Sequence, residues 1–576
     1  MKPEKISAHL LLAHDVFETE GITGIAPRAR LLGVFAKPAE KPKAIVFIRT
    51  DEEADLRHLA NYGVELNQDR GRVRTAAIPL HALDTISEDA AVHRITGARR
   101  LRPLLDVATA DVHVPQFRTT GNLSGRDVVV GVVDTGIDPG HPGFSGRIVR
   151  IWDQTLPGTG VPEGHYGREL TAQQAINVTN DTVGHGTHVT GIAAGVHTQF
   201  GGVAPDAEII MVKSDLQDAH IADGIRYIFR VAGDKPAVVN LSLGGHLDAH
   251  DGTDPLSELI DQEVGQGRIV CCAAGNEGSD NIHAQSTVGA GATSSVRFAI
   301  MGGQGVIGVI NGWYSGNNTI SVAVESPSGV VTPFQAVIAG PNPVRNYQVP
   351  GGRIRIVTPP ANPANGDFNF LIEVQPTPTV PGAALHQSVW KVRLNNTGNS
   401  QGLVDLWTVN GEQNTALFTG SSVQNSLKIG SPGCSAAAVT VAAFTTRDQW
   451  IDSNGTSRQV GLALNDLSSF SSNGPLRNGG QKPDVTAPGA MIVSMRSSGA
   501  QFAAGFEISA DYVVMAGTSM ATPFVAGIVA LLLQRNPQLD PAGVKALLKQ
   551  ASAIPGVAPN TFDPRWGFGL IDATRL

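Results

Sequence analysis

Short segments that are apolar at nearly every position alternate with helical patterns over two parts of the chain. Strands with one exposed face alternate apolar and polar residues, whereas strands buried on both faces do not. Such strands are typical of parallel sheets covered by helices on both sides. We therefore predict a three-layer α/β domain with a mainly parallel central sheet. The segments are DVVVGVVD (127–134), AEIIMV (207–212), AVVNLSL (237–243), RIVCCAA (268–274) and AAAVTVAAF (436–444).

One further segment is expected at the centre of this domain. The sequence FVAGIVALLL (524–533) is apolar on all sides, and a helix of that composition has to be buried. Pro523 before it is compatible with the first turn of a helix, because amides there have no intrahelical partner. We expect one long buried helix that begins near Ser519.

Between the two α/β stretches, residues 290–430 follow a different pattern. Apolar and polar positions alternate, Gly, Pro and Asn clusters separate the segments, and helical periodicity is weak. This pattern is typical of an all-β sandwich, and we expect an inserted jelly roll. The insertion divides the α/β domain into residues 106–289 and 431–576. The strand patterns include TISVAVE (319–325), RIRIV (353–357), DFNFLIEV (367–374) and VWKVRL (389–394).

Residues 1–105 are expected to form a separate, small β/α unit. AIVFIRT (44–50) has a strand pattern, and Thr50 begins the sequence TDEE, which has the spacing of a helix capping box. Gly63 can supply the left-handed end of that helix. A second helix is expected to begin near Pro79 and to end before the extended segment VHRITGARR.

Composition and charge exclude several classes of protein. Of 576 residues, 41% are hydrophobic and 16% are charged, which argues against disorder. The net charge is -8, whereas nucleic-acid binding needs clustered Lys and Arg. No apolar run approaches the length of a membrane span. We therefore expect neither nucleic acid nor a membrane as a partner.

The cysteines and the N-terminal sequence indicate the compartment. Cys271 and Cys272 are adjacent and, with Cys434, show no pairing pattern typical of disulfides. The N-terminal apolar run is only a few residues long and acidic residues follow it, so a secretory signal is not expected. The predicted localisation is cytoplasmic, with spore association and non-classical export as alternatives.

Three polar residues occupy the positions that nucleophilic catalysis requires. Asp134 ends the first apolar strand, His185 opens a helix, and Ser519 begins the apolar helix. A serine hydroxyl is a weak nucleophile and needs a base within hydrogen-bond reach. An imidazole can accept that proton near neutral pH, and a buried carboxylate holds the imidazole in the correct tautomer. Since α/β sheets bind ligands beyond the carboxyl ends of their strands, we predict a catalytic triad of these residues.

A fourth segment, AAGNEG (273–278), follows another apolar strand. The side-chain amide of Asn276 can donate a hydrogen bond to the oxyanion of a tetrahedral intermediate. Free backbone amides at the start of the Ser519 helix can hold the same charge. Taken singly, Asp134 and Asn276 would be turn residues and Ser519 a helix cap. The catalytic interpretation depends on their combination.

These segments resemble the three signatures of the subtilisin family of serine peptidases. DTGID, HGTHVTG and GTSMATP match those signatures nearly letter for letter, in the order Asp, His, Ser that is known for subtilisin. The resemblance implies a serine endopeptidase that acts through an acyl-enzyme, needs no cofactor, and uses Asn276 as its oxyanion residue. It also implies that two loops border the pocket for the substrate residue before the cut, through Ser242, Leu243, Gly244, Ala273, Ala274 and Gly275.

The resemblance extends to other parts of the chain. Residues 1–105 resemble a subtilase prodomain, which implies a folding assistant and intramolecular inhibitor that is removed autocatalytically near residues 100–108. The β insertion, together with IWDQT (151–155), resembles the bacterial branch that contains the clostridial germination proteases. One calcium site of the family uses a carboxylate where this chain has Gly143, so we expect that site to be absent.

Some residues near these segments have two interpretations. His185 and His188 have the spacing of a metal pair, but no third ligand is evident, so we expect a structural role for His188. Glu277 either biases the cleft toward basic side chains or is a solvated rim charge. Gly289 is a candidate for the floor of the specificity pocket, where a missing side chain would leave room for a large apolar residue.

Two other functional classes fit parts of the sequence. A catalytically silent relative would act as a scaffold or regulator, although such relatives usually lack a triad residue. A binding protein would act through the insertion, which can also serve as a brace or a carbohydrate-binding module. The expected partners are a protein or peptide substrate and the chain's own prodomain.

Overall fold

The computed structural model describes most of the chain after residue 111 and parts of the chain before it. From residue 112 onwards it describes all residues except 302–306, 339–343, 363, 378–387 and 410–415. Before that it describes residues 42–51, 53–66 and 73–97 and isolated positions up to residue 35. The chain forms two compact units, of which the smaller comprises residues 1–104, 448–461 and 503–509.

The smaller unit contains an antiparallel sheet in the order β1-β2-β4-β3, with β5 paired to β2. Its apolar core includes Val46, Ile48, Ile78 and Ile86. The strands are β1 (Val34–Phe35), β2 (Lys43–Arg49), β3 (Glu65–Leu66), β4 (Val73–Pro79) and β5 (Arg94–Gly97), and a separate hairpin pairs β23 (Gln449–Ile451) with β24 (Ser457–Gln459).

The helices of this unit correct one prediction and confirm two others. The capping box at Thr50 is not formed, because the chain turns after β2 and only then enters a 3₁₀ helix, Arg57–Tyr62, without a side-chain cap. Gly63 ends that helix in the left-handed conformation with φ 78°, as predicted. The second predicted helix is present as a 3₁₀ turn followed by α1 (Leu83–Glu88). The predicted cleavage region at 100–108 lies outside the described residues.

The larger unit is centred on an eleven-stranded, mainly parallel sheet, as predicted. Its order is β29-β30-β26-β22-β11-β10-β6-β9-β7-β8, with β25 paired to β22. All neighbours from β30 to β7 are parallel. The strands are β6 (Val129–Asp134), β7 (Ile148–Asp153), β8 (Arg168–Leu170), β9 (Glu208–Lys213), β10 (Ala237–Leu241), β11 (Arg268–Ala273), β22 (Val439–Thr445), β25 (Asp466–Leu467), β26 (Val485–Pro488), β29 (Ser552–Ala553) and β30 (Leu570–Ile571).

Helices pack on this sheet and position the segments that carry the polar motifs. Val129 and Val133 of β6 share a core with Ile225 and Ile228 of helix α5, and every residue of β6 is buried. A separate antiparallel pair joins β27 (Ile492–Met495) to β28 (Tyr512–Met515). The helices are α2 (Val114–Gly121), α3 (Ala172–Ala175), α4 (His185–Ala194), α5 (Asp218–Ala232), α6 (Pro255–Glu263), α7 (Thr518–Arg535) and α8 (Pro541–Ala551).

The predicted central helix corresponds to α7, which is buried from Thr518 to Leu533. By length and composition alone, α7 is long and apolar enough to span a membrane, and no other helix of the described chain is, so the expectation that no apolar run approaches that length is wrong. Of that apolar window, 83% is buried inside the protein, which is the environment of a core helix.

The inserted region forms two antiparallel sheets that enclose one apolar core. The six-stranded sheet has the order β12-β20-β14-β18-β17-β16, and the four-stranded sheet has the order β15-β19-β13-β21. The first strand begins at His283, earlier than the predicted start at residue 290. The strands are β12 (His283–Val288), β13 (Thr293–Ile300), β14 (Gly308–Tyr314), β15 (Ile320–Glu325), β16 (Val344–Val349), β17 (Gly352–Val357), β18 (Phe368–Pro376), β19 (Ser388–Asn396), β20 (Gly402–Thr408) and β21 (Ala416–Thr419).

Candidate active site

Asp134 and His185 meet at the carboxyl edge of the parallel sheet. Asp134 is the last residue of β6, and His185 is the first residue of α4. His185 Nδ1 donates to Asp134 Oδ1 at 2.8 Å, and the side chain of Asp134 is 2% exposed. Because a carboxylate only accepts, the ring proton lies on Nδ1 and the neutral ring keeps its lone pair on Nε2. This is the tautomer that a general base for a serine hydroxyl needs.

A second carboxylate, Asp181, holds the start of the helix that carries His185. Asp181 Oδ2 accepts from Thr187 N at 2.8 Å, and Oδ1 accepts from Gly184 N at 2.8 Å. Oδ1 also accepts from the hydroxyl of Thr135 at 2.9 Å, next to the end of β6. Asp181 therefore connects the strand end that carries Asp134 with the helix start that carries His185.

The charges around His185 raise its pKa although the ring is partly buried. Burial opposes the imidazolium, whereas the charge and hydrogen bond of Asp134 and the charge of Asp181 favour it, and together they raise the pKa of His185 above the ordinary 6.5. A raised pKa makes the imidazole a stronger proton acceptor for the serine hydroxyl.

His188 has a different environment on the same helix. Its Nε2 donates to Ile492 O at 3.1 Å and to Val513 O at 3.2 Å. Burial, and then the charge of His185, lower the pKa of His188 to about 3, so the ring is neutral. These contacts have the structural role expected for His188. Across the described part of the chain, no group of three or more His, Cys, Asp and Glu side chains is arranged to hold a metal.

Ser519 lies in the first turn of α7 and is 9% exposed. Its Oγ donates to Ser242 O at 3.2 Å, and the Ser242 hydroxyl donates to Ser519 O at 2.8 Å. Among the contacts of the described residues, Ser519 Oγ makes no hydrogen bond to His185. Rotation about χ1 gives Oγ three staggered positions. The predicted triad requires the position that faces Nε2 of the imidazole.

Asn276 is oriented by the residue before the serine. Its Oδ1 accepts from Thr518 N at 2.8 Å and from Thr518 Oγ1 at 3.1 Å. The Thr518 hydroxyl also accepts from Gly275 N at 3.1 Å. Since Oδ1 faces Thr518, the two donors of Nδ2 stay available for an oxyanion beside Ser519.

A cavity of about 160 Å³ opens beside Ser519. The six residues that the resemblance implied for the specificity pocket all line it. The lining consists of Ser242, Leu243, Gly244, Gly245, His246, Ala273, Ala274, Gly275, Asn276, Glu277, Gly430, Thr518 and Ser519. Sequence reasoning missed Gly245 and His246, although they directly follow the predicted Ser242–Gly244 segment, and it missed Gly430, which is distant from every motif in sequence.

Gly289 does not line this cavity, so its prediction as the pocket floor is wrong. It follows β12 in the turn that leads to β13, where a Cβ would lie 3.6 Å from Ala292 Cβ. Because the first strand of the sandwich begins at His283, Gly289 belongs to the sandwich and not to the α/β domain. Four other glycines line the cavity, and at one of them, Gly430, a Cβ would lie 2.0 Å from Gly245 O.

The comparison with protein families agrees with this geometry. Residues 125–339 and 387–569 match the model of the subtilase family. The chain therefore belongs to the subtilase family. Its enzyme class is that of the subtilisin-like serine endopeptidases.

Individual relatives cover different shares of the chain. It is 25% identical over 494 residues to the serine protease AprX of Bacillus subtilis, which covers 82% of this chain and 72% of AprX. It is 32% identical over 187 residues to subtilisin E of Bacillus subtilis, which covers 31% of this chain and 42% of subtilisin E. The solved structure of the CspB protease of Clostridium perfringens has a TM-score of 0.66 at 24% identity and covers 81% of this chain and 96% of that chain. The last likeness shows a shared fold.

Proposed function

We propose that the chain hydrolyses peptide bonds with Asp134, His185 and Ser519 as its triad and Asn276 as its oxyanion donor. The observation that carries the proposal is the 2.8 Å hydrogen bond from His185 Nδ1 to Asp134 Oδ1. This hydrogen bond leaves Nε2 of His185 free to accept a proton. His185 is on α4, and α4 packs against α7, the helix that carries Ser519.

The reaction follows from the roles of these side chains. His185 Nε2 takes the proton of Ser519 as Oγ attacks the carbonyl carbon of the scissile bond. Asn276 Nδ2 and the backbone amide of Ser519 stabilise the oxyanion of the tetrahedral intermediate. The imidazolium gives its proton to the leaving amine, and an acyl-enzyme remains. Water, activated by the same imidazole, then releases the acid.

The substrate is proposed to bind as an extended segment. The backbone of Ser242–Gly244 lies at the cavity and offers main-chain groups for pairing with an added strand. The side chain before the scissile bond would enter the cavity beside Ser519.

Labelling by a fluorophosphonate tests the nucleophile. The folded wild type should gain one phosphonyl group on Ser519, as measured by intact mass and peptide mapping, and Ser519→Ala should gain none. Ser242→Ala serves as the matched control for a serine of the same cavity and should still be labelled at Ser519. A wild type that folds but is not labelled would favour the scaffold or regulator interpretation.

We further propose that residues 1–105 act as an autoprocessed, inhibitory prodomain. Support comes from the separate apolar core of the described residues of this segment and from its position before the catalytic part of the chain. Intact mass after expression should show cleavage near residues 100–108 in the wild type and an uncut chain in Ser519→Ala. Equal processing of both proteins would show that another protease makes the cut.

A further inference from the structure

The cavity beside Ser519 contains two ionisable side chains, His246 and Glu277. His246 Nε2 lies 3.6 Å from Glu277 Oε2, and the two side chains are 12% and 30% exposed. Glu277 Oε2 also accepts from Asn276 N at 2.7 Å and from Ser472 Oγ at 3.0 Å. The carboxylate is therefore held next to the proposed oxyanion residue.

Hydrogen bonds determine which nitrogen of His246 carries a proton. His250 Nδ1 lies 3.2 Å from Asp248 O, which can only accept, so the proton of His250 is on Nδ1. His250 Nε2 is then an acceptor, and His246 Nδ1 donates to it at 3.0 Å. A neutral His246 would consequently direct the lone pair of Nε2 at the carboxylate of Glu277. Protonation of Nε2 replaces that repulsion with an ion pair.

The neutral state of His250 supports this assignment. The ring is fully buried, and burial, followed by the charges of His246 and His283, holds the pKa of His250 well below its usual value. A neutral His250 has one donor and one acceptor, and both are used as described. The proton shared by the two rings therefore belongs to His246.

A second cation near Glu277 does not replace His246. The Nζ of Lys428 donates to the backbone oxygens of Glu277, Gly278 and Asp280 at 3.2, 2.9 and 2.7 Å. It also donates to Asn425 Oδ1 at 2.8 Å, so four oxygens share its three N–H donors. Its charge is directed at these oxygens, and the ring of His246 is the side chain that faces the carboxylate.

Two side chains of the β-sandwich hold the loop that carries His246. Asn311, on β14, donates to His246 O at 3.0 Å and to Asp248 O at 2.9 Å. Trp407, on β20, stacks on the ring of His250 with centroids 3.9 Å apart and an angle of 5° between the planes. Asn311 is 1% exposed and Trp407 is fully buried. The position of one cavity wall thus depends on two strands of the insertion.

We propose that His246 is a specificity-determining residue that neutralises Glu277, and that the β insertion influences substrate selection by positioning His246. This inference rests on the proposed function, because the cavity receives the substrate side chain only if Ser519 is the nucleophile. With the pair formed, the cavity favours an uncharged side chain before the scissile bond. Without His246, the free carboxylate attracts a substrate Lys or Arg.

The test compares His246→Gln with wild type on two peptides that differ only in the residue before the cut, lysine against norleucine. The lysine-to-norleucine ratio of kcat/KM should rise about tenfold in His246→Gln, since a partly buried charge becomes unpaired. His246→Lys, which keeps a cation, should retain a low ratio. Fluorophosphonate labelling of each protein reports separately whether Ser519 is a working nucleophile. A wild-type ratio in a labelled His246→Gln protein would overturn the proposal.

The variant Glu277→Gln tests whether the effect of His246 on substrate choice depends on its pairing with Glu277. Alone, it should lower the lysine-to-norleucine ratio, because the cavity loses the carboxylate that can attract a substrate cation, and this result remains available if His246→Gln does not fold. In the Glu277→Gln background, adding His246→Gln should no longer raise the ratio above that of wild type. A tenfold rise above the wild-type ratio in the double variant would overturn the pairing.

The role of the insertion has its own matched pair of variants. Trp407→Phe should raise the lysine-to-norleucine ratio about threefold, because the weakened stack releases the loop. Trp390→Phe changes a fully buried tryptophan in the other sheet of the same sandwich and should leave the ratio at its wild-type value. Equal ratios in the two variants would overturn the positioning role of the insertion.

Discussion

The parallel sheet and the β-sandwich place their polar residues differently. In the parallel sheet, β6 and β22 are buried at every position, and Asp134, at the end of β6, reaches the site from the strand terminus. In the sandwich, β18 alternates buried and partly exposed positions, and the buried Asn311 lies within the strand β14. Sheets buried on both faces leave room for chemistry only beyond their strand ends.

Because of this difference, the two regions contribute different kinds of residue to the site. The α/β region, with its parallel sheet and the helices packed on it, supplies the groups that we propose to react, and the sandwich supplies groups that hold a loop of the cavity. Substitutions in the first region should therefore affect turnover, whereas substitutions in the second should affect stability and substrate choice. The following predictions test that division from the largest expected effect to the smallest.

Asp134→Asn should give the largest loss. An asparagine at this position stabilises the wrong tautomer of His185, and comparable changes lower kcat by about 10⁴. The measurement is kcat on a peptide substrate, with the thermal unfolding midpoint as the control for folding. A loss below about tenfold in a folded protein would show that the carboxylate does not serve the imidazole.

Phe370→Ala tests the sandwich side of the comparison. Phe370 is fully buried in the sandwich core, so its truncation should lower the free energy of unfolding by about 3–5 kcal/mol. Urea unfolding measures this loss, and the folded fraction should keep kcat within about threefold of wild type. A fall in kcat as large as that of Asp134→Asn would remove the distinction between the two regions.

Asn276→Ala should lower kcat by about 10²–10³ with little change in KM. The amide is used in the transition state more than in substrate binding, so the loss appears in turnover. Steady-state kinetics on one peptide substrate separate the two parameters. Thr518→Val is a useful companion variant, because it removes one of the two hydrogen bonds that orient Asn276 and should cause a smaller loss.

The pH dependence of kcat/KM should report on His185. The neutral imidazole is the active form, so activity falls as the pH drops through its pKa, and the acid limb should lie above the ordinary pKa of 6.5. In Asp181→Asn, the loss of a favourable charge lowers the pKa of His185, and the limb should move to lower pH. An unchanged or higher limb would contradict the electrostatic role of Asp181.

Much of the parallel part of the fold could be predicted, because continuous apolar strands have few alternative environments. All five predicted strands of the central sheet are present, and the buried helix corresponds to α7. The sequence predicted that the insertion is an all-β sandwich, but the first strand of that sandwich begins earlier than expected. That error also misplaced Gly289, which belongs to a turn of the insertion.

The supporting residues of the site were harder to predict. Asp181 accepts from the amides of Gly184 and Thr187, three and six residues further along the chain at the start of α4, but it lies outside the motifs that drew attention to the site. His246 acquires its significance from Asn311 and Trp407, which are distant in sequence. The capping box at Thr50 failed because the turn after β2 delays the helix until Arg57.

The central claim concerns the reach between the hydroxyl of Ser519 and the imidazole of His185. The most direct measurement is a crystal structure of the phosphonylated protein. We expect a phosphorus atom bonded to Ser519 Oγ, a phosphonyl oxygen within about 3 Å of Asn276 Nδ2, and His185 Nε2 within hydrogen-bond distance of the adduct. An unmodified hydroxyl that still donates to Ser242 O, with the phosphonate bound elsewhere, would contradict the account.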